Sequence, residues 1–432
     1  MRYRHETLKN GLRVLAIGTP QFKSINVQVK LHGGPSLETK KNNGISHFVE
    51  HMVLEGGKLH PDKNKFDEEI ELLGGDYNGY TSHYSVGFTI SVPDTHLHYA
   101  VEYMYDVCFQ PTFPEERLEK ERTAILDEIH NYESRPNRKY SDFYRKTRYL
   151  NNSAPLPIVG KASHVSKMSR TALMEWHKKL FVPDNMTICI VGNIDPDEAV
   201  RYVEEAFGVE KASGLDFQKE TATSELSGRS IKTQVDTNET KSIGAITLPS
   251  LELRLDNFKE RLTLSMIAAI FANYRSSVLF KKLRKETGMI YSIGGSFSSA
   301  LNEPGYFDID FTTSDDKIIT VYEMVFEEIK RLLRDGFTER ELQIGIEGSI
   351  NSLKMGCSSI SDFTDWYMPG IFWFNRFMTI EEEIKMKESI TLDETNALFR
   401  ETFKWDRVNI ISRVNSPSVR TKLNRKLEEV VR

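Results

Sequence analysis

The chain has 432 residues, 39% of them hydrophobic and 28% charged, enough for two or three domains with sizeable cores. Its net charge of −5, from 57 basic and 62 acidic residues, argues against a general binder of nucleic acid or of an anionic membrane. No run approaches the roughly 18 uninterrupted apolar residues of a membrane span. Residues 1–7 are polar and no apolar stretch follows them, so no secretory signal is expected. Cys108, Cys189 and Cys357 are far apart, each in or near an apolar run. Buried free thiols in a reducing cytoplasm are the simplest expectation.

Residues 11–17 and 25–31 read as strands, rich in β-branched residues, and the second alternates apolar with polar. Asn43-Gly44 then leads into a helix that Gly56-Gly57 ends. A helix over 65–73 closes at Gly74-Gly75, and 77–84 with 86–92 reads as a hairpin pair. Helices follow at 94–108 and 114–133. Residues 134–167, rich in Arg, Asn and Pro, read partly as loop. A helix near 169–180, a buried strand at 186–192 and a helix from Asp195 complete the first half. Between 209 and 229 the composition is that of a linker. The order of elements then repeats loosely: a strand at 242–248, helices at 257–272 and 276–287, strands near 289–299 and 305–313, and helices at 314–335 and from Thr338. A last strand is expected at 408–412. The pattern implies an α/β (α+β) chain of two related domains, 1–208 and 230–432, joined by 209–229.

The helix after Gly44 carries His47-Phe48-Val49-Glu50-His51. Offsets of three and four residues turn through roughly 300° and 400°, so both imidazoles and the carboxylate share one wedge of about 100°. Ile45, Phe48, Val49, Met52, Val53 and Leu54 make the rest of the helix apolar, so it is expected to be buried. Burying three unpartnered polar groups would cost several kcal/mol, and one metal ion would satisfy all of them. The plainer alternative is a pair of core histidines bonded to backbone. The order H-x-x-E-H reverses the H-E-x-x-H zinc signature. Catalytic zinc takes a third protein ligand, and the helix over 114–133 offers several carboxylates. Glu121 and Glu128 are seven residues apart on nearly one face, and spacing alone does not choose between them. His83, His96, His98 and His130 read as ordinary histidines.

His47 to His51, with 76 residues between His51 and Glu128, resembles the pitrilysin/insulinase family of inverted zinc metallopeptidases. The short, mitochondrial-processing-peptidase-like members match best. The likeness extends to Thr7-Leu8-Lys9-Asn10-Gly11-Leu12-Arg13-Val14, to Pro183-Asp184-Asn185-Met186 with Val191-Gly192-Asn193, and to Leu279–Arg284 leading to Gly288–Ser292. It implies two domains, each a mostly antiparallel mixed sheet packed with helices, that form half of a clamshell. It makes Glu128 the third ligand of one Zn2+ per chain and Glu121 an outer group that orients the site. Arg284 and Tyr291, seven apart, match the family's substrate-contacting pair. Residues 75–84 resemble its edge strand, where substrate backbone adds as an extra strand; Asn78, Gly79 and Tyr80 are the residues assigned there. Asn78 matches the usual asparagine. Gly79 stands where alanine is common and Tyr84 where glutamate is common, which bears on subsite preference.

The resemblance thus implies a zinc endopeptidase acting on short or unfolded peptides, with Glu50 as general base. Leader-peptide or presequence processing and general peptide clearance both fit. It also implies a homodimer enclosing the substrate, with a heterodimer containing a related subunit as the variant reading. The alternative from another class is a non-catalytic structural or substrate-capturing subunit, which would usually have lost part of the motif.

Overall fold

In the computed structural model, residues 2–135, 137–149, 156–220, 226–252, 254–299 and 304–431 are described. Alternating apolar side chains build one sheet in each half. In the first, β1 (Arg2–Thr7), β2 (Arg13–Gly18), β3 (Ser24–His32), β4 (Asp76–Thr81), β5 (Ser85–Pro93) and β6 (Met186–Gly192) take the order β1-β2-β6-β3-β5-β4. Only the β2–β6 pair is parallel. The second sheet has β7 (Ser230–Val235), β8 (Ser242–Ser250), β9 (Ser292–Ser298), β10 (Gly305–Thr313) and β11 (Asn409–Val414), in the order β7-β11-β8-β10-β9. Its one parallel pair is β7–β11. The expected pair of mostly antiparallel mixed sheets with helices is the fold found.

The first unit comprises Met1–Arg135, Pro155–Ala222 and Met355–Met378; the second comprises Pro136–Ala154, Thr223–Lys354 and Thr379–Arg432. The division is therefore not the contiguous cut at 209–229 that composition suggested. Two segments cross it, each because its apolar stripe completes the other unit's sheet. Helix Ile360–Phe374 lays Tyr367, Met368, Ile371 and Phe372 against Leu15, Ile17, Cys189 and Val191 of the first sheet. Beneath it lies the polar side of β3. Its Asn26, Gln28 and His32 are buried. Gln28 donates to Asp365 at 3.0 Å, and His32 stacks on Phe372 with centroids 4.2 Å apart.

On the opposite face, α1 (Ile45–Val53), α2 (Lys63–Leu72), α3 (Leu97–Phe109) and α4 (Glu115–Glu133) pack into the first core. In the second unit, α5 (Arg138–Arg148) occupies the segment read partly as loop. Its composition hides an i, i+4, i+8 stripe. The Tyr140 hydroxyl donates to the Ile411 carbonyl at 3.2 Å, Tyr144 bonds Thr247 at 3.0 Å and Arg148 pairs with Asp308 at 3.0 Å. The edge strands β1 and β7 were not identified from sequence: β1 is dominated by charged residues, and β7 has only Ile231 and Val235 as apolar residues beside a linker-like stretch. The helical run Phe258–Glu286 is long and apolar enough to pass as a membrane span. Its Leu264, Ile267, Phe271, Leu279 and Leu283 fill the second core. Cys108 and Cys189 are buried as expected, whereas Cys357 is only half-buried.

Asp106 on α3 fixes the loop that leaves α1. Its carboxylate accepts from the Leu59 and His60 backbone N–H groups at 3.0 and 2.8 Å and contacts His60 Nδ1 at 3.2 Å. The loop lies so close that a Cβ on Gly57 would stand 2.2 Å from Asp106. Asp106→Ala orphans two part-buried donors. It should destabilise the first unit by about 2–4 kcal/mol, read as a lower urea midpoint with an unchanged slope.

Candidate metal centre

α1 enters the core without a local cap. Its N-cap, Gly44, has φ 98°, a left-handed conformation suited to glycine. A Cβ there would also meet Gly160 Cα at 2.8 Å. The capping groups come from Glu38. Oε2 accepts from the Gly44 N–H at 2.8 Å and from Asn43 at 2.9 Å, while Oε1 accepts from the Ser46 N–H at 2.9 Å. A carboxylate suits the positive end of a helix. Trp176 Nε1 donates to the Ser46 hydroxyl at 3.0 Å. Phe48, Val49, Met52 and Val53 are fully enclosed, so the opposite face of α1 is held in register.

That face carries His47, Glu50 and His51, whose ligand-type atoms all lie within 4.8 Å of one another. Glu128 on α4 faces them. Its Oε2 is 3.5 Å from His47 Nε2 and its Oε1 is 3.8 Å from His51 Nε2. These separations exceed good N–H···O bonds. They approach the edge of about 3.4 Å between two donors held some 2.1 Å from one tetrahedral ion. Two imidazoles and one carboxylate are also the right donor set for zinc. Glu121 stands behind, its Oε2 3.1 Å from His51 Nδ1. That bond turns Nε2 toward Glu128 and holds the Glu121 carboxyl below its usual range. His47 Nδ1 is buried with no partner among the described residues.

Burial dominates the electrostatics. It pushes His47 down to about 3, with His51 adding to the effect, so His47 is neutral with its lone pair available. Burial also lowers His51, but the hydrogen bond to Glu121 and the charges of Glu50, Glu128 and Glu121 outweigh it, and the net shift is upward. Glu50 is raised by burial and by Glu128, against the opposing pull of His51 and Thr81.

The cleft has a volume of about 530 Å³. Its far wall is β4, the outer strand of the sheet. Gly79 and Thr81 face Glu50. The Thr81 hydroxyl donates to Glu50 Oε2 at 3.0 Å, and a Cβ on Gly79 would lie 2.8 Å from Glu50 Oε1. The glycine in place of the family's usual alanine thus leaves room beside Glu50. Pleating sends Tyr80 to the other face. There its ring sits where a Gly87 Cβ would fall, and its hydroxyl accepts from Gln28 at 3.3 Å. Tyr80 therefore offers the cleft backbone rather than side chain, and Asn78 is exposed. Glu38, Glu55, Lys63 and Thr81 were not singled out from sequence. Only the S/T-x-x-E-like placement of charges near a helix start could have hinted at such partners, and here the cap is six residues distant.

In the second unit, Arg284 lies in a π-helical turn, Lys281–Glu286. Its Nη1 donates to the Ile290 carbonyl at 2.6 Å, which brings it beside Tyr291. Tyr291 is not packed into the sheet: it is 55% exposed, with Lys241 Nζ 4.8 Å from its ring centroid. Among the described residues no second cluster of three ligand-type groups occurs. His83, His96, His98 and His130 belong to none.

Residues 13–161 match the model of insulinase (peptidase family M16), and residues 167–348 match that of the peptidase M16 inactive domain. The second description falls on the half without the H-x-x-E-H motif. Over 404 residues the chain is 27% identical to a Bacillus subtilis protein named uncharacterized zinc protease YmxG, covering 93% of this chain and 95% of that one. A Rickettsia felis protein named uncharacterized zinc protease is 28% identical over 331 residues, 75% of this chain and 77% of its own. The structure of a protease from Helicobacter pylori superposes with TM-score 0.84 at 15% identity, covering 96% of this chain and 99% of that one. A putative M16-like peptidase from Alicyclobacillus acidocaldarius gives 0.80 at 16% identity, covering 96% and 98%. With both family models matched in sequence order and the zinc-type donor set assembled in the first, this chain belongs to the insulinase peptidase family, M16.

Proposed function

We propose that the chain is a zinc-dependent endopeptidase that hydrolyses peptide bonds in short or unfolded peptides. The observation that carries this reading is that the Nε2 atoms of His47 and His51 both turn to Glu128, with Glu50 buried alongside. His47, His51 and Glu128 would hold one zinc ion per chain. Bound zinc supplies Lewis acidity that acidifies water and polarises a carbonyl. Glu121 keeps the Nδ1 proton of His51, and so its tautomer, fixed. Glu50 takes the proton of the attacking water and delivers it to the leaving amine. Burial raises its pKa from the ordinary carboxylate value, the direction that favours handing the proton on. Thr81 fixes one Glu50 oxygen and leaves the other for the transfer. Substrate backbone adds to the outer edge of β4 with little sequence preference.

Arg284 and Tyr291 serve as the substrate-contacting pair, and a homodimer supplies them in trans. A dimeric chamber restricts the substrates to chains it can enclose, including leader peptides. Buried thiols at Cys108 and Cys189 suit a reducing compartment such as the cytoplasm.

Glu50→Gln should retain zinc, measured by metal analysis, while kcat on a quenched peptide falls by about 10²–10⁴; native turnover would sink the mechanism. Glu128→Ala should lose zinc as well as activity, and full occupancy would point to another ligand. Because His51 is raised, its proton competes with metal from a higher pH than an ordinary imidazole's. Apparent zinc affinity should therefore be highest at alkaline pH and fall on acidification from above the usual histidine range. Competition titrations against a chromogenic chelator would read this. Mixing inactive Glu50→Gln and Arg284→Ala chains should restore part of the activity. No recovery in a verified mixed dimer would remove the trans arrangement.

A further inference from the structure

Helix Phe258–Ala268 and the end of β9 enclose a second, smaller pocket of about 230 Å³ in the second unit. Phe258, Leu262 and Phe297 contribute apolar edges, while Ser265, Ser298 and Ser299 line it with hydroxyls, so that more of the lining is polar than apolar. Arg261 is its one basic residue. The guanidinium is half-buried, and burial alone sets its pKa below the ordinary value. Nε donates to the Ser299 hydroxyl at 3.2 Å, and the guanidinium carbon lies 5.6 Å from the Phe258 ring centroid. Both Nη groups are left without a hydrogen bond among the described residues. Elsewhere in the second unit, Arg254, Arg331 and Arg334 each hold a carboxylate, on Asp256, Glu328 and Asp335, whereas Arg284 and Arg400 bond backbone carbonyls. A partly desolvated guanidinium that meets no carboxylate among the described residues is costly, and its planar fork is matched by a carboxylate.

We propose that this pocket binds the terminal carboxylate of a peptide whose last residue is apolar. Arg261 takes the carboxylate through its Nη groups, and Phe258, Leu262 and Phe297 take the side chain. A single cation suits a monoanion better than a phosphate dianion. The volume lies below the roughly 300–1,000 Å³ of drug-sized sites, which suits one residue rather than a longer segment. The proposal rests on the reading of the chain as a protein that handles peptides.

The test uses the full chain stripped of metal with a chelator, so that no peptide is cleaved. A decapeptide ending in Phe, with fluorescein at its N-terminus, is titrated by anisotropy as the free acid and as the C-terminal amide. The free acid should bind about tenfold more tightly. Arg261→Gln should bring the free acid down to the affinity of the amide, and Arg261→Lys should restore part of the difference. Leu262→Trp, which fills the pocket, should weaken the free acid selectively. Equal binding of acid and amide, or a preference that survives Arg261→Gln, overturns the site. So does an amide with glutamate beside its last residue binding as well as the free acid, because the source is then an acidic side chain. Cleavage assays on the zinc-loaded chain separate the two readings. Turnover without an acid preference sinks the pocket alone, and an acid preference without turnover sinks the peptidase reading alone.

Discussion

The first unit depends on one helix that must be core and site at once. α1 is enclosed by Phe48, Val49, Met52 and Val53 on one side and carries His47, Glu50 and His51 on the other. Such polar groups are affordable in a core only if each has a partner. The partners come from elsewhere in the chain: Glu38 at the helix start, Glu121 and Glu128 from α4, and Thr81 from β4. The same burial that makes these groups expensive tunes them. It keeps His47 neutral and raises Glu50, so desolvation and reactivity have one cause.

The wall opposite α1 follows from strand geometry. An outer strand leaves one row of backbone groups open. β4 brings that row close to Glu50, where a Cβ on Gly79 would lie 2.8 Å from its Oε1. Tyr80 anchors the strand from behind, its ring over Gly87 and its hydroxyl on Gln28. Gln28 in turn bonds Asp365 on helix Ile360–Phe374. The edge beside the cleft is thus tied to a segment nearly three hundred residues later in the chain. A polar row on β3 that would ordinarily face water becomes the buried middle of this link.

The second unit repeats the architecture without the metal ligands. Buried charges there find partners within the unit, as Arg148 does with Asp308 beside Tyr306 and Tyr144. Two groups stand apart from this pairing: Tyr291, which is exposed beside Lys241, and the half-buried Arg261, whose one side-chain hydrogen bond among the described residues is to Ser299.

Most regular elements were legible because they are periodic: β3, β5, β6, α1 and α4 carry their faces in their spacing. So was the metal motif, since helix geometry alone puts residues 47, 50 and 51 on one side. Glu128 was named through family resemblance, because seven-residue spacing left Glu121 equivalent to it. The structure separates the two by which imidazole nitrogen each meets. α5 and β1 hid behind their charge, and β7 has only two apolar residues beside a linker-like stretch. Sequence by itself determined the periodic elements and the local donor pair. Only tertiary structure decided the cap at Glu38, the approach of Gly79, which imidazole nitrogens the two glutamates meet and the crossing of residues 355–378 into the first unit. These depend on contacts between residues far apart in the chain, and local spacing carries no record of such distances.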